Sequence, residues 1–200
     1  MIGIVRAVAL SRPTPDLVRQ YIRKFESDES LVHSETAVEI VFRQYPLNSS
    51  LDEILIKIAI LNQMYSTNIR WTFAVAKHIQ ASRIDQSLRA ADPNLVDMVA
   101  RARIGDGYRR FYSFATKYCS FHAPESFPIW DQYVDRLLIA YSREFSFAVI
   151  KSNALRDYAT FKEVLRLFSK HFSLDGFSAK ELDQFLWLYG KELFAKPATK

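Results

Sequence analysis

The chain is poor in the residues that would announce a cofactor. Cys119 is the single cysteine among 200 residues, which excludes an intramolecular disulfide, a cysteine zinc finger and a four-cysteine iron–sulfur cluster. A reducing, cytoplasmic setting is the expectation. His33, His78 and His171 show no metal-ligand spacing such as His-Glu-x-x-His, and no Gly-rich nucleotide loop is present. No metal and no cofactor are therefore expected. Long apolar runs are also missing. The opening Met1-Ile2-Gly3-Ile4-Val5-Arg6-Ala7-Val8-Ala9-Leu10 is short, has no basic start and runs into Arg12-Pro13. It reads as a buried first segment rather than a secretory signal or membrane span.

Only five glycines and seven prolines punctuate the chain, while 49% of it is hydrophobic. Sheets need many turns, so this balance favours an all-α protein with one substantial core. Apolar spacing predicts helices opening near Pro15-Asp16, from Leu31 to Tyr45, and from a Ser50 cap with Glu53 at the capping-box position. The run Ile54 to Leu61 should be a buried strut. Beyond Tyr65-Ser66-Thr67-Asn68 the period resumes at Ile69, Phe73, Ala76 and Ile79. Further helices are expected over Arg83–Ala90, Asn94–Arg103, Tyr108–Phe121, Asp131–Tyr141, Phe161–Phe172 and Ser178–Phe194, the last with Ser178 and Glu181 as a capping box. Linker-like stretches at Pro46–Ser50 and Arg143–Ser152 are too short to divide domains. Residues 1–200 read as one helical body, at most two-lobed.

A formal charge of +5 favours polyanionic partners without naming one. Its distribution is more informative. Arg101, Arg103, Arg109, Arg110 and Lys117 face only Asp106 in the same stretch. On a helix from Tyr108 to Phe121, residues Phe111, Ala115, Tyr118 and Cys119 would face the core, with Arg110, Ser113, Lys117 and Ser120 on a separate polar face. From residue type alone Lys117 reads as a solvated lysine. Asp131 follows Pro128-Ile129-Trp130 and precedes a helix, a position where an acid caps the first turn. Capping and catalysis are compatible, because backbone N–H groups hold a capping carboxylate in fixed geometry.

The stretch from about Leu51 to Leu138 resembles the helix-hairpin-helix DNA glycosylase superfamily, and looks most like its 8-oxoguanine glycosylase-like branch. Tyr65-Ser66-Thr67-Asn68-Ile69 is similar to the family's polar segment that enters the duplex between two helices. Pro128-Ile129-Trp130-Asp131 is similar to the element that delivers the catalytic Asp. The family's Leu-Pro-Gly-x-Gly hairpin is represented here only by Ile104-Gly105-Asp106-Gly107. With Ala115 aligned to the small residue after the family lysine, Ser113 occupies the lysine position and Lys117 sits one turn further on.

The resemblance implies a monomeric, two-lobed enzyme on double-stranded DNA that flips a damaged or modified base and cleaves its N-glycosidic bond. Asp131 would stabilise the developing oxocarbenium charge. Either water or Lys117 would attack, the latter leaving an imine that permits strand cleavage. The DNA-binding set would be Tyr65, Ser66, Thr67 and Asn68 as wedge, with Arg101, Arg103, Gly105, Gly107, Arg109, Arg110 and Ser113 along the phosphates. Phe121, His122, Trp130 and Tyr133 would stack on the extruded base. A non-catalytic DNA reader and a helical protein-interaction module remain alternative readings, as do repair of oxidised guanine and defence against phage DNA.

Overall fold

Side-chain caps begin most of the helices, which is why their starts are legible in the sequence. Thr14 opens α1 (Pro15–Glu26), Asp28 opens α2 (Glu29–Gln44) and Ser50 opens α3 (Leu51–Tyr65), each accepting a backbone N–H of the first turn. Asp131 does the same for α8 (Gln132–Phe145), Asp157 for α9 (Tyr158–His171), and Ser178 with Glu181 forms a full capping box on α10 (Ala179–Phe194). Between them lie α4 (Thr72–Ser82), two short helices α5 (Asp85–Arg89) and α6 (Leu95–Ala100), and α7 (Tyr112–His122). The computed structural model describes residues 10–195. The expected buried segment at Met1–Leu10 lies outside them except for Leu10.

The architecture is mostly helical, with one departure from the all-α expectation. Residues expected at the end of one helix and the start of the next instead form an antiparallel hairpin, β1 (Arg101–Ile104) and β2 (Gly107–Arg110), in register Arg101↔Arg110 to Ile104↔Gly107. Gly105 takes φ +59° in the two-residue turn, a conformation that glycine adopts without Cβ strain. The helical pattern expected from Tyr108 therefore begins only at Tyr112, with Phe111 as its cap.

One continuous core joins the N-terminal and C-terminal helices, from Val18 and Phe25 through Phe114 and Tyr118 to Phe185 and Tyr189. The strut over Ile54–Leu61 is buried, but it carries Lys57 at its centre, fully enclosed. Its Nζ donates to the carbonyls of Tyr45 and Leu47 and to Asn48 Oδ1 at 3.1, 2.8 and 2.8 Å. A buried ammonium is tolerable only with such partners, and it ties down the Pro46–Ser50 connection. On the other side of the molecule Gly190 lets α10 approach α8. A Cβ there would meet Tyr133 O at 2.8 Å. This close approach sets Tyr133 beside the face of α10 that carries Asp183 and Trp187.

Candidate functional site

Lys117 and Asp131 meet because two adjacent residues of α7 grip the segment before α8. Thr116, fully buried, accepts the Trp130 N–H at 3.2 Å, and its single hydroxyl proton is shared between the carbonyls of Ser113 at 3.0 Å and Trp130 at 3.3 Å. One residue on, Lys117 Nζ lies 3.3 Å from Asp131 Oδ2 and 2.7 Å from Ser113 Oγ. Asp131 spends its other oxygen on capping, accepting the Tyr133 N–H at 3.0 Å. A carboxylate at a helix N-terminus also gains from the helix dipole. The aspartate is thus anchored by backbone and the lysine by aspartate and serine.

The polar face expected on this helix is not a solvated one. Lys117 and Ser120 are buried, and Ser113, Lys117 and Asp131 line a cleft of about 730 Å³. Ion-paired as it is, the Lys117 ammonium must lose a proton before its nitrogen can attack carbon, and Asp131 Oδ2 and Ser113 Oγ are the adjacent acceptors.

Tyr65, Ser66, Thr67 and Asn68 border the same cleft. The loop is held in an unusual backbone course, with Ser66 and Asn68 both left-handed at φ 48° and 56°. Such conformations persist where the surroundings impose them, often at functional sites. Here Asn62 imposes it: its side chain accepts from Thr67 Oγ1 at 2.5 Å and Ile69 N at 2.9 Å, and donates to Ile69 O at 2.8 Å. The loop tip is preorganised from α3.

Of the four expected stacking aromatics, Trp130 and Tyr133 line the cleft. Trp130 is fixed by its Nε1 donating to Asp135 at 3.2 Å, and the Arg156 guanidinium lies 5.0 Å from its ring centroid. The structure does not bring Phe121 and His122 there. Phe121 packs against Phe42 and Tyr65, and His122 against Phe42 and Tyr118, with its Nε2 3.4 Å from Lys57 Nζ. Burial first, then the Lys57 charge, push the His122 imidazole down to about 3. These two sit on the core side of α7, the side opposite in role to Ser113 and Lys117.

The cationic residues separate into two kinds. Arg101, Arg103 and Arg109 are exposed on the hairpin, with Gly105 and Gly107 at its turn, all outside the cleft lining. Arg109 stacks over the exposed Trp71, 4.2 Å from its ring centroid. Arg110 is engaged structurally: it pairs with Asp97 at 2.6 Å, donates to Arg156 O at 2.6 Å and covers the Tyr112 ring. It holds the hairpin to the turn at Ala154–Arg156, which contributes Arg156 to the cleft.

Sequence reasoning missed what α2 and α10 supply. Glu35, Asp183, Gln184 and Trp187 line the cleft. Asp183 and Trp187 are one helical turn apart, a spacing visible in the sequence but indistinguishable there from any amphipathic face. Among the described residues no group of histidine, cysteine and carboxylate side chains is arranged to hold a metal ion. Among them, too, no helix is long and apolar enough to cross a membrane.

No solved structure matches the chain. An uncharacterized protein of Haemophilus influenzae is 43% identical over 147 residues, which span 73% of this chain and 70% of that protein. The HI_0787_N family, an N-terminal domain, matches residues 17–126. That span takes in the Tyr65–Asn68 loop, the hairpin and Lys117, and stops short of Asp131. The chain belongs to the HI_0787_N family.

Proposed function

We propose that the protein is a DNA N-glycosylase that draws a damaged or modified base into the cleft and cleaves its bond to deoxyribose. The reading rests on one observation above the others: Lys117 and Asp131, 14 residues apart in sequence, form an ion pair in a cleft bordered by the preorganised loop Tyr65–Asn68. This is the set of parts that base extrusion followed by glycosidic cleavage requires.

In the reaction the loop fills the gap left in the duplex while Trp130, Tyr133 and Trp187 enclose the base. As the C1′–N bond breaks, its electron pair leaves with the base and positive charge grows on the sugar. Asp131 lies where its carboxylate stabilises that charge. A proton leaving Lys117 for water in the cleft frees the amine to bond C1′ while Asp131 keeps its negative charge for the sugar; if water attacks instead, Asp131 orients it. Arg101, Arg103 and Arg109 supply phosphate contacts beside the cleft, with Trp71 as an apolar face next to them. The sequence resemblance to helix-hairpin-helix glycosylases supports the same roles, although the β-hairpin lies several residues ahead of the position of that family's DNA-binding turn.

The test is incubation with duplexes carrying 8-oxoguanine, uracil, hypoxanthine or an alkylated purine, followed by alkali to reveal abasic sites. Borohydride is added in parallel. Excision of at least one base, with a trapped adduct lost in Lys117→Ala, supports the lysine mechanism; excision without an adduct assigns water. Binding to DNA with no excision of any base contradicts the enzymatic reading.

A further inference from the structure

Among the described residues, Asp183 is the one ionisable side chain that lines the cleft and also two further cavities, of about 340 and 80 Å³. It stands at their junction on α10. Its helical neighbours are mutually satisfied: Ser178 N and Oγ donate to Glu181, and Gln184 Nε2 donates to Glu35. The Asp183 carboxyl takes part in none of these bonds and is left facing the cavities. Burial is the largest influence on it, and the carboxylates of Asp131 and Glu35 add to that. The ammonium groups of Lys117 and Lys180 oppose it, and the net effect pushes the carboxyl up to about 8. The Asp183 charge also bears on Tyr65 of α3, and Glu39, Tyr133, Arg156 and Lys191 line the same cavities. A carboxylic acid that keeps its proton near neutrality beside an ionised one is the division of labour expected of an acid and its partner.

We propose that Asp183 is the general acid that protonates the departing base, an inference resting on the glycosylase reading above. The bond C1′–N breaks, its electron pair moves onto the base, and the Asp183 hydroxyl gives its proton to a ring nitrogen or exocyclic oxygen of that base. The base departs neutral and Asp183 is left as a carboxylate. Water reaching it through the two adjoining cavities restores the proton, so the acid reloads without opening the DNA-filled cleft. Asp131 and Lys117 act on the sugar, and Asp183 acts on the leaving group.

The experiment is single-turnover excision by the full chain, from pH 6 to 10, on whichever of the 8-oxoguanine, hypoxanthine and uracil duplexes the wild type processes. It is read beside binding to a duplex with a tetrahydrofuran abasic analogue. For the wild type the rate should fall as pH rises through about 8. Asp183→Asn should lose about 10²-fold or more at pH 7 and lose that alkaline limb, Asp183→Glu should recover part of both, and abasic-duplex binding should stay within about twofold because no base remains to protonate. Asp183→Asn with unchanged rate and pH profile overturns the inference while leaving the glycosylase reading intact. Loss of abasic-duplex binding together with excision also overturns it, assigning Asp183 to the shape of the cleft. A wild type that excises only the alkylated purine, which leaves neutral without a proton, overturns the inference alone, and one that excises no base at all removes the reading beneath it as well.

Discussion

Thr116 Oγ1 accepts the buried backbone N–H of Trp130, and each residue's chain neighbour, Lys117 and Asp131, forms the ion pair of the cleft. The packing joint and the chemical pair are therefore one structural unit. Movement of α7 against the segment before α8 would separate both at once.

The pair should show itself in stability as well as chemistry. Asp131→Asn keeps a capping oxygen but leaves the buried Lys117 without its counter-charge, so unfolding free energy should fall by about 1–3 kcal/mol. Lys117→Met removes the charge and keeps the stem's packing, and the double variant should be more stable than Asp131→Asn alone. Urea titration of the four proteins reads this coupling. Additive effects would mean that the two side chains do not interact.

Asn62 makes the shape of the Tyr65–Asn68 loop a property of α3. Asn62→Ala removes three hydrogen bonds and releases two left-handed residues, at a cost of about 1–3 kcal/mol. Limited proteolysis should then cut near Thr67, and affinity for a duplex should drop. An uncut loop with unaltered affinity would show that Asn62 does not hold it.

Two adjacent arginines should behave differently. Arg109→Ala should weaken DNA binding and reduce the slope of log K against log salt by about 1, with little change in stability. Arg110→Ala should instead lower stability by about 1–2 kcal/mol, because it severs contacts to Asp97 and Arg156 O. Equal losses of salt dependence in both variants would contradict the division.

His122 provides an acid-sensitive element among Phe42, Tyr118 and Lys57. Its folded value near 3 lies below the ordinary 6.5, so between these values the unfolded chain binds more protons and stability falls as pH falls. His122→Gln removes that titration. Between pH 7 and 4.5 the wild type should lose about 2 kcal/mol more than this variant. Parallel denaturation curves across that range would count against a buried neutral imidazole.

How far the sequence carries depends on the range of the interactions. Caps act over three residues, so Ser50, Asp131, Asp157 and Ser178 sit at helix starts that could be read or nearly read from the chain. The hairpin was also within reach: Arg101-Ala102-Arg103-Ile104 alternates exposed and buried, and Gly105-Asp106-Gly107 marks the turn. Aromatic spacing from Tyr108 onward suggested a helix there because period alone does not separate short strands from helix ends. Nothing in the sequence says which side of α7 meets α2 and α3, so Phe121 and His122 read there as stacking residues. Asp183, Trp187 and Glu35 were invisible for the same reason, since only the packing of α2 and α10 around α7 carries them to Lys117.

The measurement closest to the central claim is single-turnover base excision by wild type and Asp131→Asn, with duplex binding measured on the same preparations. The account predicts excision by the wild type, a loss of about 10²-fold or more in the variant, and binding retained by both. Equal excision by the two proteins, or binding without excision in either, would contradict it.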